Sequence, residues 1–249
     1  MADTRYLYGF HAVAARIKRD AGSVLDMYVA AGRSDPRMRE LVNLAQGAGV
    51  RVHSVDAARL SAMVGQAIHQ GVVAEVRAQI REAKLADVLD GMDGKALLLV
   101  LDGVTDPHNL GACLRVADAA GAQAVIAPRD RAAPLNATAI KVASGAAETV
   151  PYVMVTNLAR ALRELQAAGI WVAGAAGDAE ARSIYAIDQR GPFAWVLGAE
   201  GAGLRRLTRE TCDELASIPM HGSVESLNVS VAAGICLFEA RRQRLAPGA

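Results

Sequence analysis

The sequence predicts an α/β protein in which a C-terminal domain, built on a parallel sheet, follows a smaller N-terminal α/β domain. Strand-like and helix-like segments alternate along nearly the whole chain, the pattern of parallel strands joined by helices. A polar segment containing glycines, residues 79–95, separates two such runs. Hydrophobic residues make up 52% of the 249 residues and aromatic residues only 4%, which is typical of closely packed α/β cores rich in small side chains.

In the first 78 residues, short strands and helices alternate, which predicts a compact α/β domain. Val13 and Ile17 recur at helical spacing, and Gly47 and Gly49 close the second helical segment. Residues 50–55 alternate apolar and polar side chains, as in a half-buried strand. The predicted helices are residues 9–19, 36–48 and 57–64, and the predicted strands are residues 24–30, 50–55 and 71–76.

Residues 79–95 are predicted to be a linker, because they begin with a polar run and contain two glycines. The strand predicted at residues 97–101 is a continuous apolar run, typical of a parallel strand covered on both faces. Trp171 and Trp195 lie in apolar strands and are expected in the core. The further predicted strands are residues 124–127, 150–155, 170–173, 193–197 and 214–219, and the predicted helices are residues 110–120, 136–145, 158–168 and about 228–242.

Composition argues against several classes of protein. No run of about 18 uncharged apolar residues occurs, so neither a transmembrane helix nor a membrane partner is expected. The first residues lack the apolar core of a signal peptide. Three cysteines occur without a CxxC pair, which favours a reducing, cytoplasmic location over a disulfide scaffold or a zinc site. The histidines show no metal-ligand spacing, so no metal is expected.

The distribution of charge points weakly towards nucleic acid. The net charge is only +1, but basic residues outnumber acidic ones in the first 80 residues. Clustered cations can bind phosphates, which would make this part of the chain an RNA-binding surface. The alternative is a solvated charged face without a partner. The basic residues concerned include Arg16, Lys18, Arg19, Arg33, Arg37 and Arg39.

The first of three segments that carry chemistry is residues 101–115, which leaves a predicted strand at Asp102 and enters a helix predicted to start near Asn109. Asn109, with Arg115 about two turns later, could bind an oxyanion or a phosphate. Helix N-termini favour anions, and arginine offers a fixed fork of donors. Alternatively, Asn109 is a helix N-cap and Arg115 is an ordinary surface residue.

The second segment, residues 196–204, places three glycines after a buried strand. Glycines let a backbone approach a ligand closely, so a nucleotide-like ligand is expected. The G-x-x-G-x-G spacing differs from both the dinucleotide fingerprint and the Walker sequence. A plain glycine turn does not explain why Glu200 stands between the glycines.

The third segment, residues 218–231, runs from a strand through a polar loop into a helix. Ser226 or Asn228 could serve simply as the N-cap of that helix. Residues 229–238 are almost all small or apolar, so the helix is predicted to pack in the core or against a partner subunit. Cys113, in the first segment, is expected to be a small core residue and not a nucleophile.

These segments resemble the three motifs of the SpoU, or TrmH-like, branch of the SPOUT RNA methyltransferases, and the resemblance covers nearly the whole chain. Further stretches that share it are residues 8–13, 69–73 and 135–138. Ala202 stands where a charged residue is expected. The matching residues are Asn109, Gly111 and Arg115 in the first motif, Gly198, Glu200, Gly201 and Gly203 in the second, and Ser226, Leu227 and Asn228 in the third.

The resemblance implies both a fold and an activity. The fold is a SPOUT domain with a C-terminal trefoil knot, residues 96–249, preceded by an RNA-binding domain like ribosomal protein L30, residues 1–78. The activity is 2′-O-methylation of a guanosine ribose in 23S ribosomal RNA by a homodimer that uses S-adenosyl-L-methionine. The predicted cofactor-binding residues are Gly198, Gly201, Ile218 and Leu227.

Arg115 is the predicted central catalytic residue. It would act as a cation that stabilises developing alkoxide charge, because deprotonating a guanidinium costs too much. Asn109, Glu200, Ser226 and Asn228 are predicted to position the substrate and the cofactor. A phosphate oxygen, Glu200 or water could accept the ribose proton.

Three other functions stay open at this stage. The same chemistry could act on transfer RNA, or the chain could be a non-catalytic RNA-binding factor in ribosome assembly. The presence of Arg115, Glu200 and Asn228 argues against a non-catalytic factor. A nicotinamide-dependent oxidoreductase is disfavoured because the dinucleotide fingerprint is missing.

Overall fold

A computed structural model describes residues 4–65, 67–77, 83–92, 94–177 and 181–245. It divides the chain into two units, Met1–Arg81 and Glu82–Ala249, so the division falls inside the segment predicted as a linker. Each unit has its own sheet and its own core. Among the described residues, no helix is both long enough and apolar enough to cross a membrane.

The first unit is a four-stranded sheet with the order β1-β4-β2-β3. Only the β2–β3 pair is parallel; β4 runs antiparallel to both β1 and β2. β1 was not predicted from the sequence, although its alternation of exposed and buried side chains is that of a strand. The elements are β1 (Thr4–Tyr8), α1 (Phe10–Asp20), β2 (Val24–Ala30), α2 (Pro36–Gly47), β3 (Arg51–Val55), α3 (Ala57–Val64) and β4 (Val72–Arg77).

The core of this unit is an apolar cluster of buried residues from α1, α2 and three strands. One residue expected on a basic surface lies inside it instead: Arg16 is only 2% exposed. Its guanidinium donates hydrogen bonds to the Ser23 hydroxyl at 2.6 Å and to the Arg77 carbonyl at 3.1 Å. Arg16 is therefore structural, because a buried charge must find such partners, and the prediction that it belongs to an RNA-binding surface is wrong.

The second unit is a seven-stranded, entirely parallel sheet with the order β7-β6-β5-β10-β8-β11-β9. This confirms the predicted class, a parallel C-terminal sheet after a smaller α/β unit. The strands are β5 (Leu97–Asp102), β6 (Ala124–Pro128), β7 (Tyr152–Val155), β8 (Trp171–Ala175), β9 (Arg182–Ser183), β10 (Phe193–Gly198) and β11 (Glu214–Ser217). The helices are α4 (Leu85–Asp90), α5 (Pro107–Ala120), α6 (Ala137–Val142), α7 (Ala146–Thr149), α8 (Leu158–Ala167), α9 (Arg206–Thr211) and α10 (Val229–Leu245).

α5 begins two residues earlier than predicted. Asp106 is its N-cap and accepts a hydrogen bond from the His108 backbone N–H at 3.0 Å, and Pro107 occupies the first turn. Asn109 therefore lies inside the first turn, and the alternative that it is an N-cap is wrong. At the other end, Gly121 closes the helix in the left-handed conformation with a φ of 70°.

The small-residue helix α10 packs along α5, as its composition predicted. Ala233, Cys236 and Leu237 are buried, whereas Val231 and Phe238 are about half exposed on the opposite face. Trp195 in β10 is fully buried, as expected. Trp171 is not: it is the first residue of β8 and is 49% exposed, so its assignment to the core is wrong.

The C-terminal half of the predicted linker packs on the second core. Leu85, in α4, is 8% exposed and belongs to the same cluster as Leu98 and Leu162. Leu89 and Met92 pack against that cluster. A chain cut at Lys95 would therefore lose part of the second core, whereas one cut at Glu82 would keep it.

We expect a chain that starts at Glu82 to fold cooperatively, and one that starts at Lys95 to be less stable. Removing α4 uncovers the apolar surface that Leu85 shields, which should cost at least about 2 kcal/mol in the free energy of unfolding. Urea denaturation followed by circular dichroism measures the difference. Equal midpoints and slopes for the two chains would show that α4 contributes nothing to this core.

Candidate functional site at the carboxyl edge of the parallel sheet

Two neighbouring strands bring the first two segments together. β5 ends at Asp102 and β10 ends at Gly198, and these two residues are paired in the parallel register. β8 flanks β10 on the other side. Because ligands of open α/β sheets bind beyond the carboxyl ends of the strands, this edge is the place to look for a site.

The loop after β10 folds back over its own strand. The Gly203 N–H donates to the Ala199 carbonyl at 2.9 Å, which closes residues 199–203 into a tight turn. A Cβ at Gly198 would overlap the backbone of Gly203 and Leu204. Gly198 was expected to make room for a ligand, but the structure gives a different reason, since its hydrogen allows the loop to close.

A buried carboxylate fixes the far end of this loop. Asp102 is 1% exposed, and its Oδ2 accepts from the backbone N–H of Arg205 at 2.9 Å. The Arg205 guanidinium also donates to Asp102 Oδ1, from Nε at 2.5 Å and from Nη2. Sequence reasoning used Asp102 only as the end of a strand and did not select Arg205. An acidic residue at the end of an otherwise apolar strand was the signal that could have identified the pair.

Three predicted site residues, one from each segment, meet at one carboxylate oxygen. Glu200 Oε1 accepts from Asn228 Nδ2 at 2.6 Å and from Asn109 Nδ2 at 3.3 Å. Asn228 Nδ2 also donates to Asn109 Oδ1 at 2.9 Å. The Val229 backbone N–H donates to Glu200 Oε1 at 3.3 Å, which ties the start of α10 to the same oxygen. We call Asn109, Glu200 and Asn228 the polar triad.

Asn228 has a second role that the sequence had suggested as an alternative. Its Oδ1 accepts from the Ser230 backbone N–H at 2.9 Å, and from the Ser230 hydroxyl at 2.5 Å. Asn228 thus satisfies a backbone group in the first turn of α10 while its amide nitrogen serves the polar triad. The two interpretations of this residue are compatible.

The remaining two predicted catalytic residues lie outside the polar triad. Ser226 is exposed and lines the neighbouring cavity. Arg115 is exposed on α5, six residues and hence about 9 Å along the helix axis from Asn109. Within the described part of the chain, its guanidinium has no hydrogen-bond or ion-pair partner. Arg115 is therefore available to a substrate group.

A cavity of about 340 Å³ lies beside the polar triad, within the size range of small-molecule sites. Its wall contains all four predicted cofactor residues, Gly198, Gly201, Ile218 and Leu227, together with Glu200. Three loops form it: the ends of β8 and β10, and the segment between β11 and α10. The other lining residues are Ala175, Ala176, Gly177, Leu197, Ala199, Gly203, Met220, Glu225, Ser226, Val229 and Ala232.

The wall suits a ligand with an apolar body and several polar groups. Leu197, Ile218 and Leu227 give it apolar surface. Within the described residues, the backbone of residues 220–227 makes no hydrogen bond to another part of the protein, so its N–H and C=O groups remain available. S-adenosylmethionine has an adenine ring and a methionine chain, and it fits these donors, acceptors and apolar contacts.

The Cys113 thiol is not suited to nucleophilic chemistry. Burial raises the pKa of the Cys113 thiol to about 12, which keeps it protonated and agrees with the core role expected from the sequence. The three cysteines are free. In the described ranges, no group of three or more His, Cys, Asp or Glu side chains could hold a metal ion.

Two families match the chain, one for each unit. The SpoU rRNA methylase family matches residues 96–238. The family described as RNA 2′-O ribose methyltransferase substrate binding matches residues 6–80. The first match covers all three segments that carry chemistry, and the second covers the sheet of the first unit except the first two residues of β1.

Individual relatives agree with these matches. The chain is 61% identical over 244 residues to the 23S rRNA (guanosine-2′-O-)-methyltransferase of Ralstonia nicotianae, covering 98% of each chain. An AdoMet-bound rRNA methyltransferase from Sinorhizobium meliloti has a similar structure, with a TM-score of 0.73 and 27% identity over 98% of this chain and 88% of that one. The TrmH/SpoU tRNA modifying enzyme of A. aeolicus is similar over only 64% of this chain and 80% of its own, with a TM-score of 0.56 and 31% identity.

We expect Gly198→Ala to weaken S-adenosylmethionine binding by at least about tenfold, because one methyl group would push residues 199–203 out of place. Gly191→Ala is the control, since a Cβ there meets no atom within 4 Å. Calorimetric titration of both variants measures the affinity. If a folded Gly198→Ala variant binds as tightly as Gly191→Ala, the loop after β10 does not form the cofactor site.

We expect Asp102→Asn to lower the free energy of unfolding by about 2 kcal/mol and to weaken cofactor binding. The variant loses the charge that Arg205 neutralises. Asp188→Asn removes a similar Asp–Arg pair that is exposed, with Arg190, and should cost less than about 1 kcal/mol. Denaturant curves and cofactor titrations separate the two. Equal effects of the two substitutions would mean that Asp102 does not hold the loop.

Proposed function

The chain belongs to the SpoU rRNA methylase family, and from that premise we propose that it transfers the methyl group of S-adenosyl-L-methionine to the 2′-hydroxyl of a guanosine in 23S ribosomal RNA. Relatives with that activity match at 54–61% identity over almost the full chain. The single structural observation that carries the proposal is the cavity placed directly beside the polar triad. The cofactor can thus occupy the cavity, with the side chains of the polar triad beside it.

Ribosomal RNA is favoured over transfer RNA by the first unit. The match to the substrate-binding family lies wholly within this unit, and the similar tRNA enzyme covers only 64% of the chain. A non-catalytic assembly factor would not need the hydrogen bonds that join Asn109, Glu200 and Asn228. These observations support the methyltransferase over both alternatives.

The cofactor would lie against Gly198, Gly201, Ile218 and Leu227, with the free backbone groups of residues 220–227 recognising its polar ends. When bound, S-adenosylmethionine supplies an electrophilic methyl group on a sulfonium. The apolar side chains of the wall would keep water away from that group, and the tight loop after β10 would hold the cofactor in place. Holding the two reacting atoms in line is worth a large share of the barrier in such a transfer.

Glu200 is the organising residue of the polar triad. Its Oε1 already accepts three hydrogen bonds, from Asn109, Asn228 and Val229. Its Oε2 has no partner among the described residues, so we propose that this oxygen accepts a hydrogen bond from the substrate. A ribose hydroxyl oriented in this way presents a lone pair towards the cofactor, and the hydroxyl proton can pass to Glu200, to a phosphate oxygen or to water.

Arg115 supplies the positive charge. Its exposed guanidinium acts as a hydrogen-bond donor and a cation. We propose that it binds the oxygen on which negative charge develops, or the adjacent phosphate. Ser226 lines the cavity and contributes a hydroxyl to substrate or cofactor.

The proposal also assigns a role to each part of the chain. We propose that residues 1–78 bind RNA, that residues 79–95 connect the units, and that residues 96–249 carry out the transfer with a knotted C-terminal segment. We also propose that the enzyme works in the cytoplasm as a homodimer. The half-exposed apolar side chains Val231 and Phe238 on α10 support a subunit contact there.

We expect Arg115→Ala to abolish methylation while leaving cofactor affinity within a few-fold. Among the described residues, Arg115 is not part of the cavity wall and makes no hydrogen bond to the polar triad. Arg115→Lys keeps the charge and should restore part of the rate. The assay maps 2′-O-methyl groups in 23S ribosomal RNA from cells that lack the enzyme, after incubation with each protein and S-adenosylmethionine.

Three results would count against this scheme. If the unaltered protein adds no 2′-O-methyl group to that RNA, the proposed function is wrong. If it does, but Arg115→Ala loses cofactor binding in step with activity, Arg115 belongs to the cofactor site or to the fold. A variant that methylates normally would remove Arg115 from the mechanism altogether.

A further inference from the structure

We propose that the first unit holds the phosphate backbone of the substrate RNA with a pair of arginines, Arg33 and Arg37, presented on the ring of Phe10. We call Phe10, His11, Arg33 and Arg37 the arginine clamp. The inference rests on the proposed function, because it names the surface by which this chain holds its RNA.

Both guanidiniums lie on one aromatic ring. The Arg33 guanidinium carbon is 5.0 Å from the centroid of Phe10, and that of Arg37 is 4.7 Å from it. Each distance is within the range of a cation–π contact. Phe10 itself is 4% exposed and belongs to the core of the unit, so the ring is a fixed support. The arginines are exposed at the surface above it.

Arg33 is held in one geometry by neighbours on three segments. Its Nε donates to Asp35 at 2.5 Å, and its Nη1 donates to the Gln70 carbonyl at 2.5 Å. Asp35 is itself fixed, because it caps α2 by accepting from the Met38 N–H at 3.1 Å. A Cβ on Gly71 would come within 3.1 Å of Arg33 Nη1, so the glycine leaves room for the side chain.

Arg37 is held but not neutralised. Its Nη2 donates to His11 Nε2 at 2.7 Å, which requires an unprotonated acceptor nitrogen on the imidazole. Within the described residues, no carboxylate pairs with Arg37. Its planar fork therefore keeps donors free for a phosphate, and the ring beneath it limits the entropy lost on binding.

The arginine clamp carries excess positive charge, which favours binding of an anion. Two guanidiniums lie within about one Debye length of each other, since both are close to one ring. Among the residues that the structure describes, Asp35 is the one carboxylate paired with them. An exposed and ordered pair of cations with this excess charge is the arrangement that binds nucleic-acid phosphates.

Other surfaces of the unit fit RNA less well. The sheet face that carries Tyr28 and His53 also carries two carboxylates, Asp26 and Glu75, side by side in the register. Asp26 already binds Arg51 at 2.9 Å and His53 at 2.6 Å. The basic side chains on that face are already paired with a carboxylate of the protein, and the carboxylates there would repel a phosphate.

The clamp also explains two stretches that the catalytic site does not use. Residues 8–13 and 69–73 share the family resemblance and belong to the first unit, whereas the polar triad belongs to the second. The Gly9 N–H donates to the Val72 carbonyl at 3.1 Å, which joins the two stretches. One of them supplies Phe10 and His11, and the other supplies the carbonyl that holds Arg33.

The test uses the full chain and measures its affinity for a 23S ribosomal RNA fragment at several salt concentrations. Arg37→Ala should weaken binding about tenfold near 0.1 M salt and should reduce the slope of log affinity against log salt by about 0.7–0.9. Arg59→Ala, which removes an exposed arginine on α3, is the matched control and should change neither quantity. Cofactor affinity should stay the same in both variants.

Two further variants separate charge from folding. Arg37→Lys should keep the salt slope but lose part of the affinity, because lysine keeps the charge without the stacked, planar fork. Phe10→Leu keeps an apolar side chain in the core but removes the ring, so it should weaken RNA binding while circular dichroism stays unchanged. In turnover assays, all affected variants should show a raised KM for RNA and an unchanged kcat.

The proposal is overturned if Arg37→Ala matches Arg59→Ala in affinity and in salt slope. It is also overturned if Arg37→Ala changes kcat with KM unaltered. Failure of the proposed function is a separate result, seen as absence of methylation by the unaltered protein. Because the binding measurement does not depend on turnover, it decides on the clamp in either case.

Discussion

A buried carboxylate sets the geometry on which the candidate site depends. Asp102 is almost fully removed from water, and a charge in that position must be paired and hydrogen-bonded. Arg205 provides both the pairing and a backbone N–H. The residue that follows the glycine loop is thereby anchored to the neighbouring strand. The loop between Gly198 and Arg205 is then fixed at both ends.

That constraint explains how Glu200 reaches the other two segments. Residues 199–203 form a turn that is closed by a backbone hydrogen bond. The two fixed ends of the loop therefore set the position of the exposed Glu200 carboxylate. Asn109 and Asn228, 91 and 28 residues away in the chain, both donate to it. Loss of Glu200 would remove the acceptor that the amides of Asn109 and Asn228 share. We therefore regard the polar triad as one unit, in which single substitutions should not be additive.

Much of this arrangement could be predicted from the sequence. Three local patterns predicted the fold class, the edge of the sheet and the segments that meet there. They are the apolar run at residues 97–101, the glycines after residue 197 and the small-residue helix after residue 228. Their local patterns suffice because parallel strands share a carboxyl edge. The resemblance to the SpoU family indicated which chemical role each segment has, and periodicity alone did not indicate this.

What the sequence could not give depends on tertiary packing. The alternation in β1 is short, and the strand exists because β4 pairs with it. Trp171 looks like a core residue, but it is the first residue of its strand and remains half exposed. Arg16 looks like a surface cation, yet it donates to acceptors from separate parts of the fold, Ser23 and Arg77. For Gly198, the sequence indicated the need for a small residue but not which backbone comes close.

The two units place their charges in different environments, and this separates binding from chemistry. Arg33 and Arg37 are exposed, so their attraction to a phosphate is screened by salt within about 10 Å. The Asp102 carboxylate is shielded from solvent, and salt weakens its pairing with Arg205 much less. RNA affinity should therefore fall steeply with ionic strength, while the geometry beside the cavity persists. As the salt concentration rises, the affinity for RNA should fall before the geometry of the active site changes. Salt should therefore act mainly on KM and little on kcat.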